Sequence, residues 1–184
     1  MTPEVVIKFL ALLTLFSNLF IAFLILFLVV FSFLKVRYGQ ALLSFLRERY
    51  LLFSLLVSLV ATAGSLFLSE IAHFEPCKLC WFQRIFMYPL PLILGISIYK
   101  RIREVTSFVL PFSLIGSIIA LYHYYVQTNP QALAPCSIVG FSVSCSERFF
   151  TYFGYITIPW MSFSAFFLIF VFMILGGRGL KKGE

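Results

Sequence analysis

Long stretches without a charged side chain constrain this chain more than any other feature. Phe9 to Leu34 contains none, and neither does Leu51 to Ser69. Further apolar stretches run roughly from Cys77 to Tyr99, Val105 to Val126 and Ile156 to Leu175. An apolar run of about 18 residues or more reads as a membrane-spanning helix. A spanning strand would be shorter and would alternate in polarity. With 61% of 184 residues hydrophobic and 11% charged, the chain has more apolar side-chain surface than a soluble domain of this size needs. The pattern predicts an all-α integral membrane protein with five spans, and a single domain is the default at this length.

The first span is too long for the core of a cleavable signal peptide, about 7–15 residues, and it leads into the basic segment Lys35-Val36-Arg37, so it reads as a retained helix. Gly39 to Tyr50 mixes Leu42, Leu43, Phe45 and Leu46 with Arg47, Glu48 and Arg49, the pattern of a short amphipathic helix lying in an interface. Pro89 and Pro91 fall inside the third span and predict a kink there. Gln127 to about Tyr155 is the longest stretch of non-spanning character, and the chain ends in a basic tail with Arg178, Lys181 and Lys182.

The net charge of +7 is distributed as a membrane protein distributes it, and no nucleic-acid partner is read from it. Ten of the 14 Lys and Arg residues lie in the 35–50 segment, the 100–104 turn and the tail. Because basic loops stay on the cytoplasmic side, this predicts a cell-membrane protein with a cytoplasmic C-terminus and an N-terminus outside. All four cysteines, Cys77, Cys80, Cys136 and Cys145, then fall at the outer face, where disulfides persist.

Cys77 and Cys80 form a Cys-x-x-Cys pair at the head of the third span, with Arg84 four residues further on. On a helix these three share a face. A thiol at a helix N-terminus, in a Cys-x-x-Cys pair and near a cation, is driven toward the thiolate. The loop such a pair closes is too short to remove much chain entropy, so a redox couple fits it better than a structural staple. A zinc site drawn from the two cysteine pairs, with His73 as a further candidate ligand, is the metal alternative; the reading adopted has no metal. Cys136 and Cys145 stand nine apart around Gly140, a loop able to bring them together, and an exposed, movable disulfide is a labile one.

Two dithiols on one side of a membrane suggest a relay that accepts electrons from an outside dithiol. A lipid-soluble quinone is the sink a membrane offers. A fixed cation or hydrogen-bond donor stabilises charge building on its oxygens, and Arg84 and His123 are the two candidates near the outer surface. The plainer alternatives are an Arg84 that snorkels to the headgroups and an interfacial His123 among Tyr122, Tyr124 and Tyr125.

These residues resemble the DsbB family of disulfide bond formation proteins, including its shorter BdbC type. Cys77-Lys78-Leu79-Cys80-Trp81-Phe82-Gln83-Arg84, then Ile85-Phe86-Met87-Tyr88-Pro89-Leu90, are similar to the family's redox helix. Tyr122-His123 at the close of the fourth span resembles the family's histidine. Cys145-Ser146-Glu147-Arg148 with Gly154, Pro159 and Trp160 resembles the entry to its last helix. The resemblance covers roughly Leu51 to Leu175. It implies a four-helix transmembrane bundle that reoxidises a DsbA-like, thioredoxin-fold thiol oxidase and passes electrons to ubiquinone or menaquinone. Cys136 would form the mixed disulfide with the oxidase. Cys145 would pair with Cys136 at rest and exchange with Cys77. Cys80 would face the quinone, and Arg84 and His123 would sit at its headgroup.

The expected organisation is therefore an additional N-terminal transmembrane helix and interfacial segment over residues 1–50, a DsbB-like redox bundle over 51–177 and a basic tail over 178–184. The extra helix departs from the family, which usually keeps its N-terminus inside. The Cys136–Cys145 spacing is also short beside the long-loop members. Two other readings compete. A vitamin K epoxide reductase-like protein would carry its helix Cys-x-x-Cys after the loop pair, the reverse of the order here. A structural or transport protein with stabilising disulfides would not exchange them with a dithiol.

Overall fold

The computed structural model of the chain describes residues 3–34, 40–129 and 144–180. Cys136, Pro135, Gly140 and the charged residues Lys35, Arg37, Lys181 and Lys182 lie outside the described residues. The helices are α1 (Pro3–Leu34), α2 (Gln40–Glu48), α3 (Tyr50–Leu66), α4 (Lys78–Met87), α5 (Pro89–Lys100), α6 (Thr106–Thr128) and α7 (Ile158–Leu180). Five stretches are long and apolar enough to cross a membrane: Pro3–Phe27, Tyr50–Ile71, Lys78–Lys100, Thr106–Thr128 and Ile158–Gly177. The chain is thus an all-α, multi-pass membrane protein, with no β-ladder among the described residues beyond one isolated bridge between Tyr152 and Ile156.

The elements depart from the sequence expectation in two places, each with a local cause. The third span divides at Tyr88 into α4 and α5, because Pro89 and Pro91 have no N–H to offer the carbonyls of Ile85 and Met87. The second span does not stop at Ser69. It closes in a π-helical turn, Phe67–Ile71, in which the Ala72 N–H reaches the Phe67 carbonyl at 3.0 Å. Such widened turns occur mostly as single turns within α-helices, frequently at functional sites; this one closes the second span and delivers the chain to the Cys77 loop.

The last helix, α7, is the centre of the bundle, packed against α6, α3, α1 and α2. Its Phe166, Ile169 and Met173 are fully buried. Between apolar helices in lipid the drive to associate comes from close packing, so small residues sit where helices touch. Gly116 of α6 is such a position: a Cβ there would run into the Phe166 ring. The short helix α2 is amphipathic as expected, with Leu43 and Leu46 buried and Arg47 and Glu48 exposed.

The first helix, α1, is docked rather than loose. Asn18, in the middle of α1, accepts a hydrogen bond from Ser164 Oγ at 2.8 Å and donates to Tyr155 Oη at 3.4 Å. A carboxamide inside an apolar helix is costly unless paired in this way. Below it Ile21 and Leu24 join the common core, and Phe20 meets Phe172 at 6.2 Å between ring centroids.

Candidate functional site

The end of α3, the start of α4, the end of α6 and the segment before α7 converge at one end of the bundle. Cys77 is the N-cap of α4, not its first residue, and its sulfur accepts the Cys80 N–H at 3.4 Å. The helix-terminal amides and the helix dipole favour an anion at that position. The Cys77 and Cys80 sulfurs are 3.3 Å apart as free thiols. His123, near the end of α6, brings Nε2 to 3.5 Å from the Cys77 sulfur. Cys145 is disulfide-bonded. Its sulfur, that of Cys77 and a ring nitrogen of His123 all lie within 4.8 Å of one another. Exposures of 4%, 3% and 1% for Cys77, His123 and Cys145 seal this junction from bulk water.

The proton on His123 is assigned by its neighbour. Gln83 presents its carboxamide Nε2 to His123 Nδ1 at 3.0 Å. An amide nitrogen only donates, so Nδ1 accepts and the imidazole proton is left on Nε2, facing Cys77. Hydrogen bonding with the Cys80 thiol, then with His123, holds the Cys77 thiol well below the usual thiol range, against an opposing push from burial. Cys77 is therefore poised as the thiolate of the pair.

The segment that carries Cys145 is clamped to the end of α6. Arg148 donates through Nε and Nη2 to the Gln127 carbonyl at 3.1 and 2.7 Å, and Gln127 Nε2 donates to the Glu147 carbonyl at 2.8 Å. Phe149 stacks on Phe74 with centroids 4.7 Å apart. These contacts tie the Cys145 segment to both the α6 end and the loop that leads into Cys77.

Cys80 touches Cys77 on one side and opens onto a second space on the other. It lines a cavity of about 470 Å³ bounded by α1, α3, α4 and α7, to which Cys77, His123 and Cys145 do not contribute. Arg84 lines the same cavity. Its Nε donates to Ser65 Oγ at 3.2 Å and its Nη2 to the Ser65 carbonyl at 3.3 Å, and its guanidinium carbon lies 5.1 Å from the Trp81 ring centre. A guanidinium has five N–H donors, so donors remain for a ligand. An otherwise apolar cavity with a few convergent polar groups is the usual form of a small-molecule site.

Of the residues singled out from sequence, Cys77, Cys80, Cys145 and His123 are brought together, Arg84 is one helical turn below at the cavity, and Cys136 lies outside the described residues. His123 sits against Cys77 and does not join Arg84 at the cavity. Sequence reasoning missed Gln83, Ser65 and the Arg148–Gln127 clamp. Gln83 did carry a signal, as a buried carboxamide within a spanning segment. The cluster Cys77–His123–Cys145 has the reach of three metal ligands, but a metal takes a thiolate, and the Cys145 sulfur is committed to a disulfide.

The profile of the family described as "Disulfide bond formation protein DsbB" matches residues 47–176. Disulfide bond formation protein C of Bacillus subtilis (strain 168) is 46% identical over 137 residues, covering 73% of this chain and 94% of the relative. The probable disulfide formation protein C of Halalkalibacterium halodurans is 45% identical over 128 residues, covering 70% and 93%. A probable disulfide formation protein of Coxiella burnetii (strain CbuK_Q154) is 38% identical over 138 residues, covering 74% and 93%. No solved structure matches the chain significantly. With well over half its length in the match and the cysteine junction inside it, the chain belongs to the DsbB family of disulfide bond formation proteins.

Proposed function

We propose that the protein is a quinone-coupled thiol–disulfide oxidoreductase of the cell membrane, which reoxidises an extracytoplasmic, DsbA-like thiol oxidase. One observation carries the reading: the Cys77 sulfur is within 4.8 Å of the disulfide-bonded Cys145 sulfur, while its neighbour Cys80 opens onto an apolar cavity beside Arg84.

The relay balances as two thiol–disulfide exchanges. The oxidase dithiol reduces the Cys136–Cys145 disulfide through a mixed disulfide at Cys136, and the two released thiols take up its electrons. The Cys145 thiolate then attacks the Cys77 sulfur of a Cys77–Cys80 disulfide and expels Cys80 as a thiolate. Cys136 attacks Cys145 in turn, restoring the outer disulfide and expelling Cys77. Attack requires a thiolate, and the better leaving group is the thiol of lower pKa. Cys77, with the Cys80 N–H and the His123 Nε2–H directed at its sulfur, is built to leave. The outer disulfide with two inner thiols is the state that follows these exchanges.

The residues at the cavity suit a quinone. Its walls are mostly apolar, with Glu75 and Gln83 at the Cys80 end, Arg84 is fixed by Ser65 with donors to spare, and Ser17 Oγ on α1 is buried without a hydrogen-bond partner. A bound quinone would supply a two-electron, two-proton sink. Arg84 would stabilise negative charge on its oxygens, Cys80 would supply the nearest sulfur, and the surrounding apolar side chains would exclude water.

Anaerobic mixing of a reduced thioredoxin-fold dithiol protein with the enzyme and a quinone tests the reading. Quinone absorbance should fall in proportion to dithiol oxidised, and Cys80→Ser should abolish the loss. Full activity in that variant would sink the mechanism. Disulfides that never exchange with the dithiol would favour a structural role instead.

A further inference from the structure

The family match begins at residue 47, so α1 lies outside it, and the curated relatives are covered over 93–94% of their length by 70–74% of this chain. Yet α1 is not an appendage to the cavity beside Cys80. It forms one wall of it through Leu10, Leu13, Thr14, Phe16, Ser17 and Phe20.

Three observations fix that wall in place. Asn18, next to Ser17, is bonded to Ser164 and Tyr155, which sets the rotation of α1 about its axis. Gly64 of α3 lets the helices close: a Cβ there would stand 3.2 Å from the Leu10 side chain. Phe20 and Phe172 are in ring contact one turn below. Within this wall the Thr14 hydroxyl is used internally, donating to the Leu10 carbonyl at 2.9 Å. The Ser17 hydroxyl is not: its oxygen is buried and has no hydrogen-bond partner. A serine in a helix ordinarily has its own preceding turn as an acceptor, and leaving a buried hydroxyl unpaired costs about 1–3 kcal/mol. Among the described residues, Ser17 is the one with a buried, unpartnered side-chain polar atom that also lines this cavity, and a turn about its χ1 would present the hydroxyl to a ligand there.

We infer that α1 completes the acceptor site of this chain, with Ser17 Oγ donating to an oxygen of a lipid-phase quinone and Phe16 and Phe20 forming the apolar surface beside it. Ser17 is then a residue that tunes quinone affinity and choice, on a helix that the family match does not include. The inference rests on the quinone reading above and adds the N-terminal helix to it.

Two measurements on the full-length protein in detergent test it, and neither depends on turnover. In the first, a photoreactive isoprenoid quinone is crosslinked to the protein and the labelled peptides are mapped. Label within residues 10–20 as well as in α4 is the expected result. In the second, quinone binding is followed by quenching of tryptophan fluorescence, Trp81 lying next to Arg84. Ser17→Ala should weaken binding on the order of three- to tenfold, the value of one hydrogen bond. Leu19→Ala, on the outward face of α1, should leave binding unchanged. Label confined to α3, α4 and α7, with Ser17→Ala binding as the unsubstituted protein does, would overturn the role of α1 and leave the quinone reading standing. Neither label nor quenching in the unsubstituted protein would overturn both.

Discussion

His123 Nε2 stands 3.5 Å from the sulfur of Cys77, with its other ring nitrogen held by Gln83 at 3.0 Å. The contact joins the end of α6 to the start of α4 and makes the imidazole a fixed donor to whichever charge Cys77 carries. Because the Cys77 thiol is held low, chiefly by Cys80 and then by His123, its alkylation rate should already be at its plateau at neutral pH. The rate should fall only as pH drops through the lowered value. Cys80→Ala and His123→Ala each remove a hydrogen bond that favours the Cys77 thiolate, so each should move the midpoint to higher pH. Cys80→Ser, which keeps a donor, should move it least. Iodoacetamide labelling of Cys77 against pH, followed by mass spectrometry, gives the three midpoints.

Gln83 acts on Cys77 only through His123. Gln83→Met keeps the volume and removes the donor that selects the Nε2–H tautomer. Internal exchange between Cys145 and Cys77 should slow by about tenfold, the equivalent of one hydrogen bond of roughly 1.4 kcal/mol. The amide of Gln83 is spent on His123, while its side chain also lines the cavity beside Cys80, so the exchange step is measured without quinone. Rapid quenching with a thiol-trapping reagent resolves the exchange step, and an unchanged exchange rate would contradict the assignment.

Much of this arrangement could be read from the chain before any coordinates. Charge-free runs and proline positions gave the spans, and Cys77, Cys80, Cys145 and Arg84 were marked by type and spacing. What could not be read was direction. His123 carries no local sign of whether it faces a cavity or a sulfur; that is set by the rotation of α6, which depends on Gly116 admitting the Phe166 ring of α7. Ser65 is one of several serines in α3, and only the π-helical turn and the reach of Arg84 make it the one that matters. The part played by α1 was also hidden, because Ser17 and Asn18 are adjacent polar residues whose separate uses appear only once α7 is packed beside them.

Arg84 and lysine are not equivalent at this site. Arg84→Lys keeps the charge but loses the two-point hold on Ser65, and a guanidinium fork cannot be copied by an ammonium. Arg84→Lys should raise the KM for quinone, and Arg84→Met should raise it more and lower kcat as well. Hydrogen bonds to charged groups are worth about 1.5–3 kcal/mol, so the Met variant should lose roughly ten- to a hundredfold in kcat/KM. Steady-state kinetics with quinone varied at fixed dithiol would show it. Kinetics like those of the unsubstituted protein in both variants would mean that neither charge nor geometry at this position is used.

The α6–α7 contact is a packing claim with its own test. Gly116→Ala drives a methyl into the Phe166 ring and should cost about 1–3 kcal/mol, the usual range for overpacking. Thermal unfolding in detergent should show the loss. Phe166→Leu added to it should return part of the stability, because the two substitutions share one contact and do not add. Additive losses in the double variant would place the strain elsewhere.

The clamp on the Cys145 segment governs how often its sulfur meets Cys77. Arg148 gives two hydrogen bonds to the Gln127 carbonyl, and Gln127 returns one to the Glu147 carbonyl, so the segment just after Cys145 is held to the last turn of α6, one turn beyond His123. Attack of one sulfur on another needs close, aligned approach, and small losses of position are costly to rate. Arg148→Ala releases both bonds at once and should slow exchange between Cys145 and Cys77 by about tenfold or more, taking one to two kcal/mol for the pair. Arg148→Lys can restore only one bond and should recover part of the rate. Alkylation of Cys77 in the fully reduced protein should be unaffected, because Arg148 does not touch it. Thiol trapping at short times after mixing with a dithiol separates the two quantities. A variant with normal exchange but altered Cys77 reactivity would show that the clamp acts on the thiolate and not on the approach of the two sulfurs.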